Sequence, residues 1–92
     1  MRVFDKPLPG DLVIRTRQDY SPLQRSTDVF VITHWPDAET IVAGPYQSYA
    51  YALQQAKHLL KDRSEVIWYD HARSGEAEQL EQVGGGESRE IL

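Results

Sequence analysis

Residues 28–71 read DVFVITHWPDAETIVAGPYQSYAYALQQAKHLLKDRSEVIWYDH, and the order of patterns inside them decides the fold. Asp28–Trp35 is a β-branched run of strand character. Trp35-Pro36-Asp37-Ala38-Glu39 turns the chain, because proline presets φ and Asp37 can accept from the backbone ahead of it. Thr40–Ala43 returns antiparallel and stops at Gly44-Pro45, since proline has no N–H to donate. Ser48 is a helix N-cap by type. From Tyr49 to about Arg63, Tyr49, Leu53, Ala56 and Leu60 form one apolar stripe, widened by Ala52 and Leu59. Glu65–His71 is the next strand.

The lengths are mutually consistent. A helix of about 15 residues spans roughly 22 Å, and a strand of about seven residues roughly 23 Å. The helix can therefore run back along the sheet and deliver 65–71 parallel to the Thr40–Ala43 strand, in a crossover of the usual right hand.

Outside this unit the signals weaken. Pro7, Pro9 and Gly10 mark an irregular opening segment. Leu12–Thr16 alternates and reads as a short strand, and 18–27 as a polar loop. After His71 the composition turns acidic and poor in large apolar residues. Ala77, Leu80 and Val83 share one side of a short helix over Glu76–Val83, and Gly84-Gly85-Gly86 reads as a flexible linker. The expected fold class is thus α+β: a three- or four-stranded, mostly antiparallel sheet with one main helix on one face. Residues 1–75 would form a single small domain and 76–92 an acidic, largely flexible tail. The last strand could lie beside either strand of the hairpin.

The chain of 92 residues has no cysteine, so neither disulfides nor thiolate chemistry enter. Hydrophobic residues make up 40% and charged residues 26%, near globular averages. The net charge is −4, but it is uneven: residues 1–71 carry eight basic and nine acidic side chains, and 72–92 carry two and five. The folded part is near neutral, which points to no polyanionic partner. No apolar run reaches the roughly 20 residues of a membrane span, and the N-terminus lacks the apolar core of a signal peptide. The expected location is cytoplasmic.

Catalytic and metal chemistry find little support. His34 and His71 fall at opposite ends of the sheet and His58 on the helix, so the three cannot converge on one ion. No metal and no cofactor are expected. Asp70-His71 near Asp28 is the closest approach to an acid–base constellation, but no nucleophile motif accompanies it. The triple glycine lacks the strand, lysine and helix of a phosphate loop. These readings argue against an enzyme.

Both faces of the sheet are apolar, although one helix can cover only one. Phe30 and Ile32 oppose Val29, Val31 and Trp35; Val66 and Trp68 oppose Ile67 and Tyr69. A sheet with a wet face alternates apolar with polar, so something must cover the second face. The candidates are the N-terminal segment, the 76–83 segment, a second copy of the chain, or another protein. Trp35, Trp68 and Tyr69 are the expected interaction surface, being residue types that anchor interfaces. The rival reading is weak nucleic-acid binding through Arg15, Lys57, Lys61 and Arg63, with sheet aromatics to stack bases. Tyr46 and Tyr51 flank the helix start at the sheet edge or in solvent, while Tyr49 belongs to the apolar stripe.

The segment GPYQSYAYALQQAKHLLKDRSEVIWYDHARSGE, with the hairpin before it, resembles small bacterial domains of unknown function. Their pattern is a hairpin, Gly-Pro-aromatic, a capping serine, an alanine-rich helix and a strand ending in a polar turn. The resemblance covers about residues 28–75 and implies a ββαβ core without catalytic residues. Function then reads as a small, soluble, non-catalytic interaction or assembly module, with homodimerisation through the uncovered face as its form.

Overall fold

The computed structural model describes residues 6–21, 24–61, 64–71 and 78–85. The elements in chain order are β1 (Leu12–Ser21), β2 (Gln24–His34), β3 (Ala43–Tyr46), α1 (Tyr49–Leu59), β4 (Val66–Asp70) and β5 (Leu80–Gly85). They form one five-stranded mixed sheet in the order β3-β2-β1-β4-β5. The chain is therefore α+β with one helix on a sheet, as expected, but strand count and order differ from the expectation. β4 runs parallel to β1, with Leu12 opposite Ile67 and Ile14 opposite Tyr69, and neighbours neither strand of the expected hairpin. The other three pairings are antiparallel.

Three departures have physical causes. First, 18–21 and 24–27 are strand rather than loop: β1 and β2 pair beyond the body of the sheet as far as Ser21 opposite Gln24. A two-stranded arm built of polar residues has no core-facing alternation to betray it. Second, of the helix expected over 76–83, residues 76 and 77 lie outside the described residues and 80–83 belong to a strand over 80–85, with Trp68 opposite Gln82 and Tyr69 opposite Glu81. β4 is buried along Val66–Trp68. Its backbone groups must be paired on both sides, and β5 supplies the second side. The sheet thus extends past the boundary placed at residue 75, and Gly84 and Gly85 pair with Ile67 and Val66 rather than forming a linker. Third, α1 ends at Leu59, with Leu60 extended at ψ 125°. Leu60 turns into the core, and the Lys61 amide donates to Glu65 Oε1 at 2.6 Å.

The helix start follows the expectation. Ser48 Oγ accepts from the Tyr51 amide at 3.2 Å, the bond a capping serine makes. Ala52 and Ala56 are fully buried against Leu12, Ile14, Ile32 and Ile67, with Tyr49, Leu53 and Leu60 beside them. Two alanines in the contact stripe let the helix lie close to the sheet. Leu59, expected to widen the stripe, is exposed.

The helix-free face is closed by the chain itself. Val13, Val31, Thr33, Val66 and Trp68 are all buried within one molecule. Trp35 and Leu80 pack against Val13, Val66 and Trp68. The turn after β2 folds across: Arg17 Nη2 donates to the Ala38 carbonyl at 2.6 Å. Asp11 ties the pieces together. Its carboxylate accepts from the Leu8 amide at 2.9 Å, the Val66 amide at 3.2 Å and the Trp68 indole N–H at 3.0 Å. The turn before it places Pro9 and Gly10 (φ 98°) centrally, the residue types a type II turn demands.

Candidate interaction surface

The three expected anchors do not share a surface. Trp68 is 2% exposed and its indole is committed to Asp11. Trp35 is half-buried on the same helix-free face. Tyr69 points to the other face, among the residues under α1. Alternation along β4 separates Trp68 from Tyr69, and the closure of the helix-free face takes Trp68 out of reach of a partner.

The expected basic surface divides in the same way. Lys57 and Lys61 are exposed at the helix. Arg15 lies on the opposite side of the sheet and is 3% exposed. Arg63 lies outside the described residues. Arg15 Nε donates to Thr33 Oγ1 at 3.0 Å and its Nη1 to Asp70 Oδ2 at 2.9 Å. Nη1 also meets Glu78 Oε1, while Nη2 has no partner among the described residues. Two carboxylates on one guanidinium leave it no net positive charge to offer a phosphate. Its evident work is to hold residue 78, and with it the start of β5, over the helix-free face.

The acid–base expectation is also separated. Asp70 is taken by Arg15. His71 points the other way, with its ring 4.6 Å from that of Tyr69 and its Nε2 3.0 Å from Glu81 Oε2. Asp28 sits two strands away, opposite Gln18. His34 pairs with Leu12, at the end of the sheet away from His71. Among the described residues no group of three or more His, Cys, Asp or Glu side chains could hold a metal, and no helix is long and apolar enough to cross a membrane.

What the structure does bring together is an aromatic row on the helix side. Tyr49 meets Phe30 at 6.0 Å and Tyr69 at 4.8 Å between ring centroids, both edge to face. Tyr69 passes the row to His71 and Glu81. Tyr46, opposite Phe30 in the ladder, stacks edge to face on Tyr51 at 5.2 Å. Burial, the neighbouring Tyr69 phenol and the Glu81 carboxylate raise the Tyr49 hydroxyl above its usual range. Tyr49 is therefore a neutral, packed member of the row, and Tyr51 is its exposed end.

Tyr51 leads to the surface that the residue-by-residue reading missed. It is 50% exposed, Ile41 49% and Val42 41%, and the three come from one stretch along the β3 edge and the helix start. From Thr40 to Ala56 the chain contains no Asp, Glu, Lys, Arg or His. In a chain with 26% charged residues, so long a gap is the signal that could have located the surface. Its path is held at both ends. Asp37 Oδ1 accepts from the amides of Glu39 at 2.8 Å and Thr40 at 3.1 Å. Those bonds, the Glu39 amide foremost, hold the Asp37 carboxyl below the usual range. Gly44, at φ 110°, lets the strand bulge against β2: a Cβ there would lie 2.9 Å from the Phe30 carbonyl oxygen.

Comparison of the chain with protein-family models, with curated proteins and with solved structures finds no match.

Proposed function

We propose that this domain is a non-catalytic protein-interaction or assembly module that works through the uncharged strip from Ile41 to Tyr51. The observation that carries this reading is the coincidence of exposure and composition. Ile41, Val42 and Tyr51 stand in solvent, within a stretch free of charge. Interface cores are set apart by depletion of charged residues and enrichment in tyrosine. Tyrosine suits such a place because it offers ring area and a hydroxyl together. Nucleic-acid binding loses support, because Arg15 is closed off and Lys57 and Lys61 remain alone on the described helix surface.

The test is a photo-cross-linking amino acid placed at position 51 of the full chain, irradiated in the cells that produce it. A discrete protein adduct from position 51, absent from position 61, is the expected result. Equal labelling from both positions, or none, rejects the reading. Binding of single-stranded or duplex oligonucleotides that falls steeply with salt would favour the nucleic-acid alternative instead.

A further inference from the structure

We infer that the occupant of this strip is a second copy of the same chain, docked across a two-fold axis. The inference rests on the interaction reading above and adds the identity of the partner.

The argument is one of symmetry and charge. In a two-fold interface the same patch faces itself, and residues near the axis meet their own copies. A charged side chain there would confront its own sign, and like-charge juxtaposition costs several kcal/mol. A surface built for a different protein can carry charges around its core at no such cost. Charges on it fix register, reject wrong partners and speed encounter. A strip without a single charge gives up those advantages, yet it meets the demand that a two-fold imposes.

Its side chains are also compatible with themselves. Ile41 and Val42 are aliphatic. The Tyr51 ring can pair edge to face with another phenol, as it already does with Tyr46. Gln47 and Gln54 are exposed carboxamides, each with both donor and acceptor. The rest of the chain carries all 14 acidic and 10 basic residues, for a net charge of −4. The strip is thus a stretch on which two copies can meet without burying a charge of its own.

The β3 edge also restricts the mode of docking. Pro45 offers no N–H, and the ladder with β2 shifts register between Phe30 and Ile32, so pairing β3 with its own copy would be broken at its centre. Association must run through side chains of Ile41, Val42 and Tyr51. So small a patch falls at the low end of interface sizes, where complexes are weak and transient.

The experiment is solution mass by size exclusion with light scattering, on the full chain over a hundredfold range of concentration. The weight-average mass should climb from the monomer's 10.5 kDa toward twice that value. Ile41→Glu and Tyr51→Glu should each hold it at the monomer, with far-UV circular dichroism unchanged because both positions are exposed. Lys61→Glu, an exposed site outside the strip, should leave the rise intact. A constant monomer mass overturns the inference, as does a rise that both glutamate variants retain. The two readings fail separately. A strict monomer whose position 51 still cross-links a different protein keeps the interaction reading and loses the homodimer; loss of both results removes both.

Discussion

Replacing Asp11 by alanine would strip the acceptor from three N–H groups at once: the Leu8 amide, the Val66 amide and the Trp68 indole. The last two belong to fully buried residues. A buried donor left unsatisfied costs about 1–3 kcal/mol. The Leu8 amide, only part-buried, can recover a water. Removing a carboxylate that is itself buried offsets part of the loss. The net expectation is about 3–4 kcal/mol, against the roughly 5–14 kcal/mol of a domain this long. With an m-value of about 1.5 kcal/mol/M, the urea midpoint should fall by about 2 M. Tryptophan fluorescence and far-UV circular dichroism should report the same transition, because the perturbation destabilises the whole sheet. Asp11→Asn retains one acceptor oxygen and should lose clearly less. A double-mutant cycle with Trp68→Phe isolates the indole bond, for which we expect about 1–2 kcal/mol of coupling. A midpoint shift under about 0.5 M for Asp11→Ala, or a coupling near zero, would refute the assignment of Asp11 as the tie between the opening segment, β4 and the indole.

Gly44→Ala should destabilise by about 1–3 kcal/mol, combining a positive φ with a Cβ forced against the Phe30 carbonyl; a variant as stable as the parent in thermal unfolding would contradict the bulge. Asp70→Ala leaves Arg15 buried with Thr33 and Glu78 and should cost about 2–3 kcal/mol, below the full penalty of a broken buried pair because one carboxylate remains; a loss under about 1 kcal/mol by urea titration would disprove the pairing. Tyr49, raised in the folded state, adds stability that is complete below the unfolded phenol value of about 10 and lost as pH rises through the folded one. Tyr49→Phe, which cannot ionise, should therefore soften the alkaline fall in stability; an unchanged fall above about pH 10 in the variant would remove Tyr49 as its source.

Local signals carried much of the fold. β2 and β4 stand out because β-branched and aromatic residues run without interruption from Val29 to Thr33 and from Val66 to Tyr69, and Ser48 marks the helix start by a bond three residues long, to the Tyr51 amide. What the sequence hid was settled by partners distant along the chain. Arg15 looks like a solvated cation until Asp70, 55 residues away, and Glu78, 63 away, close on it. Residues 80–85 look like half a helix because Leu80 and Val83 are spaced for one, and the unpaired edge of a buried β4 overrides that spacing. Trp35, Trp68 and Tyr69 are anchors by residue type alone, and the alternation along the last strand, legible in the sequence, already sets Trp68 and Tyr69 on opposite faces. Of the candidate surface, Tyr46 and Tyr51 were legible as edge aromatics. The sequence reads Ile41 and Val42 as part of a strand over Thr40–Ala43 that Gly44-Pro45 stops, whereas β3 starts at Ala43 and runs through Gly44 and Pro45 to Tyr46 as an edge strand, where a proline is tolerated and Ile41 and Val42 stay exposed.

The closure of the helix-free face changes what a partner could use. An apolar sheet face would have served a large, permanent interface, of the kind that resembles a core cut in two. Here that area is consumed within the molecule: Asp11 engages the Trp68 indole, Arg17 reaches Ala38, and Arg15 holds Glu78. Among the described residues the large apolar side chains left exposed are Leu8, Ile41, Val42, Tyr51 and Leu59, and three of them flank β3, where Pro45 and the Gly44 bulge disfavour strand addition. Such an edge protects the chain from open-ended sheet growth while leaving Ile41, Val42 and Tyr51 able to dock by side chain. On the pairing inferred above, a Pro45→Val variant, which restores the missing N–H, should trade a reversible rise in mass for larger species detectable by light scattering. If instead Pro45→Val left the mass distribution unchanged, the protective role of this edge would be refuted.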